Sequence, residues 1–291
     1  MTGERTWTAG EILTVTAEFF AKKGIGTPRL DAELLLAKVL HLPDRVKLYT
    51  GFERVLTQVE VDSYRELVRR RSRHEPAAYI LGVKEFYAIP FEVTRDTLIP
   101  RPETELLVDE ALALARAVPG RASVRVCDVG AGCGAIALAV AANLPEASVE
   151  ASDVSAGALA CARRNAAANG LDARVRFVEG DLMLAFSEPP FDLVLANLPY
   201  VPAGLIPGLS PDVRDYEPRL ALDGGDDGLA LYRRLLPQAA GRMKPGGALI
   251  AECQPDQFQA LTAQAMELGL SPRPPVEDLS GRERIFSAMK P

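Results

Sequence analysis

Histidine is nearly absent from this sequence: among 291 residues only His41 and His74 occur. That all but excludes a histidine-based triad or metal centre, and with no G-x-S-x-G present, hydrolase chemistry falls away as well. Cysteine is scarce too. Cys127, Cys133, Cys161 and Cys253 are spread out without a C-x-x-C pair, so neither a zinc site nor a disulfide framework is indicated, and buried reduced thiols are expected. No apolar run reaches the roughly 18 residues that a membrane span requires. The longest, Ala135 to Ala142, reads as a core helix, and the amino terminus carries Glu4 and Arg5 without an apolar signal region. The expected location is the cytoplasm, with no membrane and no metal. A basic excess is also missing. The net charge of -6 counts against a protein whose affinity comes mainly from phosphate backbones, so direct nucleic-acid binding is not expected.

What is present is an ordinary globular composition, 48% hydrophobic and 25% charged, long enough for a large domain and a smaller one. Residues 1–82 read as helices. Ile12, Leu13, Val15, Phe19 and Phe20 form one stripe that Gly24 can end; Leu30, Leu34, Leu35, Val39 and Leu40 form a second; a third helix starts at Thr57 and turns Val61, Tyr64, Leu67 and Val68 inward. This third helix ends in a basic run, Arg69, Arg70, Arg71 and Arg73. A solvated helix end and a partner-binding patch both account for it. Residues 83–100 form a connector, in which EFYAIPFEVTRDT alternates around Pro90 as a short hairpin would.

From residue 101 to 291 the pattern becomes strand and helix in turn. RVCDVG is followed by GAIALAVAANL, ASVEASD by ALACARRNAAANG, and then come RVRFVEGD, FDLVLAN, a helix at Leu229 to Gly241, GGALIAEC, a helix at Asp256 to Leu268 and the last strand RIFSAMK. Short apolar strands alternating with helices predict an α/β fold with a mostly parallel sheet covered on both faces.

The chemistry gathers at predicted strand ends. CDVGAGCGA is a strand end, a glycine turn and a helix start, and Gly130, Ala131, Gly132, Cys133 and Gly134 let a nucleoside cofactor approach the main chain. Asp153 ends the next strand, where a carboxylate can accept from ribose hydroxyls. Asp181 and Leu182, in the GDL turn, can flank an adenine. A nicotinamide enzyme and an S-adenosylmethionine enzyme both fit this far. The next strand decides between them, because it ends in Asn197, Leu198, Pro199 and Tyr200. An amide nitrogen is a poor nucleophile because its lone pair is delocalised into the carbonyl. Two acceptors, the Asn197 side-chain oxygen and the Leu198 backbone carbonyl, can each take one N–H and draw such a nitrogen towards tetrahedral geometry, with Tyr200 stacked on the planar group. An oxidoreductase would need a catalytic His or Tyr-x-x-x-Lys, and neither is evident.

These stretches resemble the bacterial PrmC/HemK family, the release factor glutamine N5-methyltransferases, over nearly the whole chain. The resemblance is carried by RELVRRRSRHEPAAYILG, EFYAIPFEV, LIPRPETE (Leu98 to Glu105), DVGAGCGAIAL, Asp153, the GDL turn, NLPYV and EPRLALDGGDDGL. It implies a class I, Rossmann-like S-adenosylmethionine-dependent methyltransferase domain behind a small helical domain that helps dock the release factor. It also implies methyl transfer to the glutamine of the GGQ motif in peptide chain release factors. By position, Gly130 to Gly134 would hold the methionine portion, Asp153 the ribose and Leu182 the adenine side, with Asp181 and Asn197 completing the cofactor set and Asn197 to Tyr200 holding the glutamine. A glutamine methyltransferase of a ribosomal protein and an adenine-N6 DNA methyltransferase use related chemistry and stand as alternatives. Three departures are visible: Leu198 stands where the family more often has proline, GAGCG replaces GTGSG, and ECQPDQ replaces the usual E-I-G context, so that segment is assigned no role.

Overall fold

The computed structural model describes residues 6–117, 123–187 and 190–291, so Glu4 and Arg5 lie outside the described residues. The chain divides into two compact units. One runs to Gly82 and takes in Pro211–Tyr216; the other holds Val83–Ser210 and Glu217–Pro291.

The first unit is built on α1 (Ala9–Lys22), α2 (Pro28–Val39), α3 (Gln58–Arg71) and α4 (Ala77–Leu81). Thr8 with Glu11 and Thr57 with Glu60 form capping boxes that start α1 and α3, and Pro28 opens α2, where its missing N–H costs nothing. Leu13, Phe20, Leu35, Leu36 and Tyr64 make the core. The expected stripes are only partly inward: Val15, Phe19 and Leu30 are exposed. Part of the inner face of α2 is instead given to carboxylates. Asp31 is buried against Arg71 (2.6 Å) and accepts from the Thr27 hydroxyl, while Glu33 accepts from Arg29, Arg45 and Tyr49. The basic run is largely used up inside this unit, since Arg69 pairs with Glu66, Arg70 with Glu75 and Arg71 with Asp31.

In the second unit a hairpin comes first, β1 (Val83–Phe86) and β2 (Ile89–Glu92). Its turn residues Tyr87 and Ala88 both have positive φ, 52° and 58°, without a glycine. The Tyr87 N–H is held by the Glu105 carboxylate (2.8 Å) at the start of α5 (Glu105–Arg116), a helix the sequence pattern did not reveal. The alternation then follows as expected: β3 (Arg125–Val129), α6 (Ala135–Asn143), β4 (Ser148–Asp153), α7 (Ala156–Ala168), β5 (Val175–Glu179), β6 (Phe191–Ala196), α8 (Ala230–Arg242), β7 (Met243–Glu252) and α9 (Phe258–Glu267). Two short strands, β8 (Ser271–Pro272) and β9 (Val276–Glu277), precede β10 (Glu283–Met289).

Among the described residues the sheet runs β5-β4-β3-β6-β7-β10-β8, with β9 also on β10. The strands from β5 to β7 are parallel, and β10 returns antiparallel to β7. Strands buried on both faces read as unbroken apolar runs, and every residue of β6 is buried. The chain winds outward from β3 to β5, then crosses back to β6 on the other side of β3. Ligands bind at the carboxyl ends around such a reversal.

The buried Arg71–Asp31 pair gives a stability test. Arg71→Met leaves the Asp31 carboxylate buried with only the Thr27 hydroxyl, which is expected to cost about 3 kcal/mol. Urea denaturation followed by the signal of the helical unit measures it; a loss below about 1 kcal/mol would show that water reaches Asp31.

Candidate active site

Five parallel strands end along one edge and bring most of the expected residues together. A cavity of about 390 Å³ among the described residues is lined by Gly130, Ala131, Gly132, Cys133, Asp153, Asp181, Leu182, Asn197, Leu198 and Pro199. Gly134 and Tyr200 are not on its wall.

The glycine turn is shaped by close approach. Gly130 has φ 83°, and a Cβ there would meet Leu198 Cδ2 at 2.9 Å, so the loop after β3 and the loop after β6 approach so closely that a side chain would have to displace Leu198 while holding a left-handed backbone. Gly134 (φ 85°) starts α6 and abuts Ala162 and Leu138, which explains both its identity and its place behind the wall. Asp153 accepts from the Gly132 N–H and from the Ser155 N–H, each at 2.8 Å, and so ties the turn to the start of α7. The Asp181 carboxylate is paired with Arg234, another wall residue. Leu182 has φ 50°, and its carbonyl accepts from the Ser152 hydroxyl at 3.1 Å.

Asn197 is fixed by partners that the sequence did not announce. Its Nδ2 donates to Glu252 Oε2 (3.0 Å) and to Thr104 Oγ1 (3.1 Å), which leaves Oδ1 as the acceptor this cavity-lining residue has to offer. The Thr104 hydroxyl donates to the same Glu252 oxygen at 2.6 Å, and the Tyr200 hydroxyl donates to Glu252 Oε1 at 3.0 Å. The ring of Tyr200 packs on the hydrophobic core of this unit, and its carbonyl accepts from Gln257 Nε2. Tyr200 therefore lies behind the wall, off the cavity surface on which it is expected to stack. Glu252 is 2% exposed. Burial pushes its pKa up, and the bonds from Thr104 and Tyr200 act against that. Burial, and next the Glu252 carboxylate, also push the Tyr200 hydroxyl well up.

Thr104 belongs to LIPRPETE, as does the wall residue Arg101, whose guanidinium pairs with buried Glu217. That stretch and EPRLALDGGDDGL were visible as motifs, but only folding shows which of their side chains meet. Among the described residues no group of three or more His, Cys, Asp or Glu side chains is arranged to hold a metal ion, and no helix is long and apolar enough to cross a membrane.

Residues 11–82 match the PrmC N-terminal domain, and residues 106–204 match the Methyltransferase small domain. A protein of Geobacter sulfurreducens named Release factor glutamine methyltransferase is 42% identical over 279 residues, covering 96% of this chain and 95% of its own. The chain belongs to the release factor glutamine methyltransferase family. A Bradyrhizobium diazoefficiens protein of the same name is 43% identical, over 90% of this chain and 88% of its own. The crystal structure of a methyltransferase from Pyrococcus furiosus shares the fold, with a TM-score of 0.51 at 17% identity, over 71% of this chain and 91% of that one.

Behind the glycine turn lies Asp128, fully buried, with Oδ2 accepting from the Ala137 N–H and Oδ1 without a hydrogen-bond partner. Burial pushes its carboxyl from 3.8 up to about 7, the Ala137 N–H opposing and the Asp153 charge adding to the rise. The folded carboxyl thus holds its proton more tightly than the unfolded one. The cost of ionising it is absent below about pH 4, grows as pH rises, and is complete above about pH 7, at roughly 4 kcal/mol. Asp128→Asn removes this cost. Its stability relative to the parent is expected to rise by a few kcal/mol between pH 4.5 and pH 8 in paired denaturation curves; a difference that did not change with pH would mean that Asp128 is ionised at no cost.

Proposed function

We propose that this chain transfers a methyl group from S-adenosylmethionine to the side-chain amide nitrogen, N5, of the glutamine in the GGQ motif of bacterial peptide chain release factors, and so modulates translation termination. The observation that carries this is the fixed amide of Asn197 on the wall of the cavity that the glycine turn also lines.

The residues present suit the cofactor. An added Cβ on Gly132 would meet nothing within 4 Å, so the turn has room for a ligand against its backbone. Asp153 at the end of β4 and Asp181 in the turn after β5 suit ribose hydroxyls and an exocyclic amine, and Leu182 offers apolar surface for adenine. When bound, S-adenosylmethionine supplies an electrophilic methyl on a sulfonium.

The protein's part is to make an amide nitrogen available. Asn197 Oδ1 and the Leu198 carbonyl each accept one N–H of the glutamine amide, which weakens conjugation with its carbonyl and aims the lone pair. Glu252 and Thr104 keep the Asn197 amide from rotating, because the Glu252 oxygen and the Thr104 hydroxyl oxygen, whose proton is given to Glu252, both accept and so select the NH2 end. Glu252 is not the base of this scheme, since three donors already occupy it. No strong base is needed: the nitrogen's proton becomes acidic as the new bond forms. Alignment in an apolar pocket supplies most of the acceleration. The helical unit is assigned the docking of the release factor. A DNA substrate is disfavoured by the acidic balance and by the pairing of Arg69, Arg70 and Arg71 within their own unit.

The test is methyl transfer from labelled S-adenosylmethionine to a release factor, beside the same factor with the GGQ glutamine replaced, a ribosomal protein and duplex DNA. Label lost with that one replacement is expected; label only on the ribosomal protein or DNA would overturn the substrate. Asn197→Ala should lower kcat about 100-fold, the scale of losing one positioned hydrogen-bonding group, with cofactor affinity nearly unchanged. Asp153→Ala should instead weaken calorimetric S-adenosylmethionine binding, and an unaltered Kd would remove Asp153 from the cofactor site.

A further inference from the structure

Leu198 reintroduces a backbone N–H where the more usual proline has none. A buried N–H has to be paired. The Leu198 N–H donates to the hydroxyl oxygen of Tyr232 at 3.2 Å, and the Tyr232 hydroxyl donates in turn to the backbone carbonyl of Glu252. Tyr232, on α8, is fully buried and Leu198 nearly so. One phenol thus ties the peptide before Leu198 to the end of β7, the same residue whose carboxylate holds Asn197 and Tyr200.

Two torsions aim the Leu198 carbonyl. The angle ψ is narrowed by Pro199, because a residue before proline is confined to extended backbone. The angle φ would be locked by a proline ring at 198, near about -65°. With leucine that covalent lock is gone, and the bond from its N–H to Tyr232 instead fixes the peptide plane from which the Leu198 backbone turns. The side chain adds a second reason for a fixed position, since Leu198 is wedged against the α-carbon of Gly130, where even a methyl would come within 2.9 Å. A drifting Leu198 would disturb the acceptor carbonyl and the glycine turn together.

We infer that Tyr232 is a positioning residue for methyl transfer: by fixing the peptide plane before Leu198 it helps hold the acceptor carbonyl in place, where a proline ring at 198 would add a covalent restraint. This rests on the proposed function, in which the Leu198 carbonyl receives an N–H of the substrate amide. Tyr232 touches no reacting atom.

The test is a double-mutant cycle of Tyr232→Phe and Leu198→Pro, reading kcat, KM for the release factor, S-adenosylmethionine Kd and thermal stability for all four proteins. In the parent background, Tyr232→Phe is expected to lower kcat about tenfold, the effect of about one hydrogen bond, with KM and cofactor Kd within about twofold. In the Leu198→Pro background the same change should move kcat less than about twofold, because there is no N–H left to hold. Equal losses in both backgrounds would reduce Tyr232 to a support of the fold, and no loss in the parent background would overturn the inference outright. If the proteins carrying Leu198→Pro do not fold, amide exchange at Leu198 decides: protection in the parent should fall at least about tenfold in Tyr232→Phe, and unchanged protection would refute the bond's role. Should the parent label a ribosomal protein and not the release factor, the proposed substrate fails while the cycle is read on that acceptor instead.

Discussion

A buried carboxylate at the end of β7 organises the loop around Asn197. Glu252 accepts from Thr104, Asn197 and Tyr200 through its side chain and from Tyr232 through its carbonyl, so residues from separate stretches of the chain converge on one side chain and its own peptide. A buried carboxyl group is costly unless it is hydrogen-bonded, and each donor here would itself be costly to bury unpaired. The two penalties cancel only when all the partners are in register. An acceptor-only group at this point also makes the amide of Asn197 chemically directional. No apolar residue of the same size could do that.

The glycine turn and the Asn197 loop constrain one another through the contact of Gly130 with Leu198. Parallel strands deliver both to the same edge, and the reversal of winding at β3 leaves a crevice between the loops. Asp153 then closes the turn onto α7 by taking two backbone N–H groups. Glycine recurs at the rim of the cavity, as Gly130, Gly132 and Gly180.

The strand and helix order of the large unit was legible because its central strands, β3 and β6, are buried almost throughout and so are written as largely apolar runs. The strand-end residues Asp153, Asp181 and Asn197 were legible for the same reason, since a polar residue ending such a run stands out. Glu252 also ends a strand, yet its partners are Thr104, Asn197 and Tyr200, from 148 to 52 residues away in sequence, and no local pattern records that meeting. The helix at Glu105–Arg116 was missed, masked by the proline-rich stretch that leads into it. In the helical unit, Asp31 and Glu33 interrupt the apolar stripe because ion pairs make their burial tolerable. The arginine run shows the converse: four basic letters suggest a charged surface, and folding pairs three of them with carboxylates of the same unit.

Charge around the cavity is balanced locally as well. Arg101 is held by Glu217 and Arg234 by Asp181, and the Glu252 carboxylate is surrounded by hydroxyl and amide donors. A bound S-adenosylmethionine would bring a sulfonium whose charge would disperse on transfer, so a strong unpaired anion beside it would favour the starting state over the transition state. Neutral dipoles avoid that penalty. A side-chain amide oxygen and a backbone carbonyl, each held from behind, can orient the acceptor nitrogen without binding the charged cofactor more tightly before reaction than during it.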